Sequence, residues 1–72
     1  MKYALVIKLL YICTNGTINS TEHLYASSEY NKALDAYNKY QYDIGKEEFI
    51  NNNKCYLSEV KAGRRKLKKV RK

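Results

Sequence analysis

The eleven residues from Tyr3 to Cys13 repeat with a period of two, the signature of an extended strand. Tyr3, Leu5, Ile7, Leu9, Tyr11 and Cys13 line one face, and Ala4, Val6, Lys8, Leu10 and Ile12 line the other. Asn15-Gly16 follows directly. That dipeptide suits the two positive φ angles of a type I′ hairpin turn, so a second strand is expected to return over about residues 17 to 26. Its sequence, TINSTEHLYA, is mostly polar and alternates poorly, as an edge strand with water on its rim can.

Ser27 and Ser28 then offer a helix N-cap, with Glu29 where the helix dipole favours an acid. Tyr30, Ala33, Leu34, Tyr37 and Gln41 follow helical spacing, with Tyr40 and Ile44 widening the stripe and Gly45 placed to end it in a left-handed cap. Asp35 and Lys39 form an i, i+4 pair on the opposite side, so the outer face is mixed in charge. Lys46 to Ile50 read as one more helical turn, Asn51 to Asn53 as a loop and Cys55 to Ala62 as the last strand. The order β-β-α-β predicts an α+β domain, with the helix on one face of a three-stranded antiparallel or mixed sheet. A right-handed crossover brings the third strand beside the first, giving the order 2-1-3. Gly16, Gly45 and Gly63 punctuate a chain without proline. The domain is expected over residues 1–62, with a basic tail over 63–72 that is mobile or folds on binding.

Charge is concentrated at one end. Residues 61–72, KAGRRKLKKVRK, hold eight Lys or Arg and no acid, whereas residues 1–60 hold six basic and seven acidic side chains, so a tail of +8 and a body of −1 make the net +7. All three arginines, Arg64, Arg65 and Arg71, lie in this segment, and a guanidinium grips phosphate or carboxylate through paired donors. Lys61, Arg64, Arg65, Lys66, Lys68, Lys69, Arg71 and Lys72 are therefore the candidate nucleic-acid-binding residues. Leu67 and Val70, three apart, would let the segment become a short amphipathic helix on binding. The plainer reading of such a segment is a solubilising, disordered end. Of the eight tyrosines, Tyr3, Tyr11, Tyr30 and Tyr37 fall on expected core faces, leaving Tyr25, Tyr40, Tyr42 and Tyr56 as candidates to stack on bases. Tyr56, nearest the tail, joins the candidate site.

One helix covers only one face of a sheet, yet Ala4, Val6, Leu10 and Ile12 make the other face of the first strand apolar too. Either Leu67 and Val70 or a twin subunit cover it, or it is a docking surface for another protein. At 72 residues a lone core is marginal, which favours a homodimer.

Several classes are set aside. The start MKYALVIKLLYIC resembles a secretion signal, but Lys8 interrupts the run and no small residue sits just before Cys13. The run is also far shorter than the ~20 residues of a membrane span, and the tail lacks the anchors of an interfacial helix. A cytoplasmic protein without membrane contact is expected. Two buried free thiols are then expected for Cys13 and Cys55, although a disulfide can form if their strands are neighbours. These cysteines and His23 cannot complete a zinc site within one chain, so neither metal nor cofactor is expected. Asn15-Gly16-Thr17 and Asn19-Ser20-Thr21 match the glycosylation triplet and read as turn chemistry. His23 on an edge strand reads as solvent-facing, and Glu47-Glu48 would point different ways on a helix. No enzyme is expected.

Tyr, Asn, Lys and Ile supply 31 of the 72 residues, a usage typical of AT-rich genomes. With the opening KYALVIKLLY, the Asn-Gly hairpin and the helix EYNKALDAYNKY, the chain resembles the small accessory proteins of phages and mobile elements of low-GC bacteria. The resemblance implies a non-catalytic inhibitor of host machinery, anti-CRISPR proteins included, or a small regulator that binds DNA or RNA. Many inhibitors of nucleic-acid enzymes are acidic DNA mimics. This basic chain departs from them, so an inhibitor of its kind would meet guide RNA, DNA or an acidic surface of a host protein.

Overall fold

A computed structural model describes residues 3–66. Strand β1 spans Tyr3–Cys13 and β2 Ile18–Ala26; a 3-10 turn, Ser27–Glu29, leads into helix α1, Tyr30–Tyr42; β3 spans Glu47–Ile50 and β4 Asn53–Lys66. The strands form one antiparallel sheet in the order β2-β1-β4-β3. The class is α+β with β1 central, but the sheet has four strands, and the three-stranded order 2-1-3 is corrected.

The additional strand is Glu47–Ile50, where the sequence predicts a helical turn. Its cause is the turn that follows. Asn51 and Asn52 both take positive φ, 54° and 66°, and Ile50 pairs directly with Asn53, so two residues close a β3–β4 hairpin of the I′ kind. Asparagine tolerates this left-handed backbone where a β-branched residue does not. At Asn15-Gly16 only Gly16 has positive φ, 89°. Its N–H donates to the Cys13 carbonyl (2.9 Å), and Cys13 N–H donates to the Thr17 carbonyl (2.9 Å). Thr14 to Gly16 thus make a three-residue loop with glycine in the left-handed position, so the type I′ geometry expected at Asn-Gly occurs at Asn-Asn instead.

The predicted core face of β1 is the observed one. Ile7, Leu9, Tyr11 and Cys13 are buried together with Ala33 of α1 and Cys55, Leu57 and Val60 of β4. On β4 the buried positions fall on both sides of a bulge: Tyr11 pairs with Leu57 and Leu10 with Glu59, leaving Ser58 as the additional residue. The helix start also differs from expectation. Neither Ser27 nor Ser28 caps it; the Glu29 carboxylate reaches back to accept the Ala26 N–H (2.9 Å), the acidic half of a capping box. At the other end Gly45 turns at φ 90°, and its N–H donates to the Leu57 carbonyl (2.8 Å), tying the end of the helix to β4. Lys39 pairs with Asp43 (3.1 Å) rather than with Asp35.

Cys13 and Cys55 form a disulfide, which corrects the expectation of two free thiols. Their strands are neighbours and the two residues are direct partners in the ladder. The Thr14 N–H donates to the Lys54 carbonyl (2.9 Å), which makes Cys13 and Cys55 a non-hydrogen-bonded pair, the position where opposed side chains come closest. Among the described residues no helix is long and apolar enough to cross a membrane.

Candidate nucleic-acid interface

The basic segment begins inside the sheet. β4 runs four residues past Ala62, and Gly63 sits opposite Val6 in the ladder rather than at a boundary. Lys61, Arg64, Arg65 and Lys66 are consequently strand residues, opposite Lys8, Leu5, Ala4 and Tyr3. Lys68, Lys69, Arg71 and Lys72, with Leu67 and Val70, lie outside the described residues.

Alternation divides these four cations. Arg64 and Lys66 share the helix face with Leu5 and Tyr3, whereas Lys61 and Arg65 share the open face with Lys8 and Ala4. All four are exposed. Arg64 places its guanidinium 5.2 Å from the Tyr3 ring centroid, within cation–π range. Arg65 reaches across the open face to Glu22 (Nη2 to Oε1, 2.9 Å), and Lys61 lies 3.6 Å from Glu59. Both partners of the Arg65–Glu22 pair are well exposed, so water screens the attraction and Arg65 can exchange Glu22 for a phosphate at little cost.

Helix α1 leaves the helix-face side of this strand bare, because it crosses the sheet diagonally. It starts where β2 ends, beside Ala4, and finishes at Leu57, opposite Tyr11. Beyond Val60, the strand receives no cover. A cleft of about 280 Å³ remains there between Tyr30, Leu34 and Tyr37 of the helix and Leu5, Ala62 and Gly63 of the sheet. Tyr30 and Leu34, predicted as core, are 57% and 42% exposed for this reason.

Compared with known proteins, the chain matches no family model, no curated protein and no solved structure.

Tyr56 is half-exposed on the open face, opposite Ile12, and its hydroxyl donates to Glu47 (3.1 Å). Eight ladder positions separate Ile12 from Ala4, the partner of Arg65, so Tyr56 stands roughly 26 Å from the basic end. The structure does not bring it together with Arg65. Tyr25 and Tyr40, the other stacking candidates near the sheet, pack partly buried against the core. His23 is on the helix face, half-buried and stacked on Tyr40 at 5.7 Å, rather than solvent-facing. Of the apolar set on the second face, Ala4 is buried, Val6 and Leu10 are half-buried and Ile12 is exposed. Ile18, Leu24 and Phe49 extend this exposed apolar surface onto β2 and β3.

A second group of titratable side chains gathers where α1 meets β3. Lys39 and Lys46 both bind the Asp43 carboxylate (3.1 and 3.2 Å) and hold its pKa below the usual carboxylate range. Glu47 and Glu48 do point in different directions, but as neighbours on a strand: Glu47 accepts a hydrogen bond from Tyr56, and Glu48 lines the same recess as Tyr11. Burial, followed by the neighbouring Glu48 carboxylate, pushes the Tyr11 pKa up to about 12. The folded state therefore keeps a proton that the unfolded chain loses above the ordinary tyrosine value of about 10. Tyr11's contribution is complete below about pH 10 and is lost as the pH rises towards 12. Urea unfolding at about pH 9 and pH 11 should show this fall in stability, and Tyr11→Phe should make it shallower.

Proposed function

We propose that this chain is a non-catalytic accessory protein that binds a nucleic acid or nucleoprotein through its basic segment. The observation that carries the reading is the concentration of charge: +8 over residues 61–72 against −1 over the rest. Cations placed this densely displace condensed counterions from a polyanion and gain affinity without reading sequence. Lys61, Arg64, Arg65 and Lys66 supply the part fixed in the sheet, and Lys68, Lys69, Arg71 and Lys72 the rest. The resemblance to phage accessory proteins makes an inhibitor of host defence the leading biological role. A stand-alone DNA- or RNA-binding regulator or a ribosome-associated protein is the alternative.

The test is a salt titration of binding to duplex DNA. Removing residues 63–72 would also take four residues out of β4, so the cleaner variant ends at Lys66 and carries Lys61→Gln, Arg64→Gln, Arg65→Gln and Lys66→Gln. The log-log slope should shrink by about 0.9 for each phosphate that the variant no longer neutralises. Unchanged affinity and slope would sink the proposal.

The exposed Ile12, Ile18, Leu24, Phe49 and Tyr56 support a second reading, protein docking or homodimerisation on the open sheet face. Val6→Glu, in the centre of that face, should then abolish the dimer or complex in sedimentation experiments while the fold survives. Unfolding of this variant, or an unaltered assembly, would speak against the reading.

A further inference from the structure

We infer that the cleft between α1 and the basic half of β4 receives an unstacked base, so that the preferred ligand is single-stranded nucleic acid. The inference rests on the nucleic-acid reading and adds a binding site to it. Two independent features meet at this place. The first is an apolar recess of about 280 Å³ with tyrosines on its helix wall, Tyr30 and Tyr37, and the small residues Ala62 and Gly63 on its floor. The second is the charge next to it: Arg64 and Lys66 occupy the same face of the same strand directly beyond that floor.

The arrangement matches the two halves of a nucleotide. A phosphate held at Arg64 and Lys66 leaves its base within reach of the recess, where the exposed ring of Tyr30 supplies a stacking surface. Ala62, on the helix face opposite Ile7, projects only a methyl group and Gly63 contributes only backbone, so the floor stays low. A paired duplex keeps its bases stacked inside and cannot fill the cleft. Lys61 and Arg65, on the open face, take no part in this site and give only sequence-independent attraction to phosphate.

The experiment compares two labelled strands of equal length and charge by fluorescence anisotropy: an oligothymidylate, and an abasic oligodeoxynucleotide with the same phosphates and no bases. The oligothymidylate should bind roughly tenfold more tightly. Tyr30→Ala, at a site already 57% exposed, should remove this advantage and leave the abasic strand's affinity unchanged. Tyr42→Ala, 77% exposed at the far end of the helix, should leave both affinities unchanged. Equal binding of the two strands by the unaltered protein would overturn the cleft while leaving the charge-based reading intact. Equal weakening of both strands by Tyr30→Ala would likewise overturn it, and binding of neither strand would overturn the two readings together.

Discussion

Replacing Cys13 and Cys55 by alanine should lower the unfolding free energy by about 4 kcal/mol, the chain entropy of a loop closed across 42 residues. The bond joins the centre of the sheet, β1, to β4, across the whole of β2, α1 and β3. Without it the unfolded chain regains the freedom of more than half of its length. A domain of this size has a total stability of roughly 4–11 kcal/mol, so the loss is comparable with the whole at the lower end. Urea unfolding of the double variant, and of the native protein with and without dithiothreitol, measures it directly. The reduced native protein should resemble the variant. Coincident curves for oxidised and reduced protein would mean that the bond constrains nothing.

Leu9→Ala should cost about 3 kcal/mol. Leu9 is 1% exposed at the middle of β1, on the face shared by Ile7, Tyr11, Val60 and Leu57. It has neighbouring strands on both sides and the helix above, so little of the surroundings can relax into the space an alanine would leave. Combined with dithiothreitol, the substitution should leave the protein unfolded at ambient temperature. Near-ultraviolet circular dichroism of the eight tyrosines reports the loss of packing. A Leu9→Ala protein that keeps its tyrosine signal under reduction would show that the core is distributed more widely than these residues.

A feature of this fold is legible in the sequence to the extent that its signal reaches along the chain. Tyr3 to Cys13 are legible because eleven alternating residues determine a face, and Ile7, Leu9, Tyr11 and Cys13 are buried on that face as predicted. Glu47–Ile50 is not, because four residues span barely one period of either pattern, and their state is decided by the two left-handed asparagines that follow. The disulfide depends on a pairing between residues 42 apart, which no local pattern encodes. Within the candidate site the cations can be counted from the sequence, but their sides cannot. A glycine after Ala62 reads as the end of the strand, and only continuation of β4 to Lys66 makes alternation apply to Arg64, Arg65 and Lys66. The cleft escapes for a related reason. Helical spacing identifies Tyr30 and Leu34 as an apolar stripe, but the angle at which a helix crosses its sheet decides which part of the stripe finds cover.

The bulge at Ser58 has a consequence for how this strand can tolerate insertions and deletions. Before it the odd-numbered residues, Cys55 and Leu57, face the helix; after it the even-numbered residues do, beginning with Val60 and continuing to Ala62, Arg64 and Lys66. Ser58 is therefore the one place in β4 where a residue can be lost with every pair on either side retained, the ladder simply becoming regular. A one-residue deletion between Ser58 and Arg64 would exchange the two sides of the sheet for all that follows, moving Arg65 to the helix face and Arg64 away from Tyr3. In chains that share this fold, length changes within β4 that keep the charge layout should fall at that position.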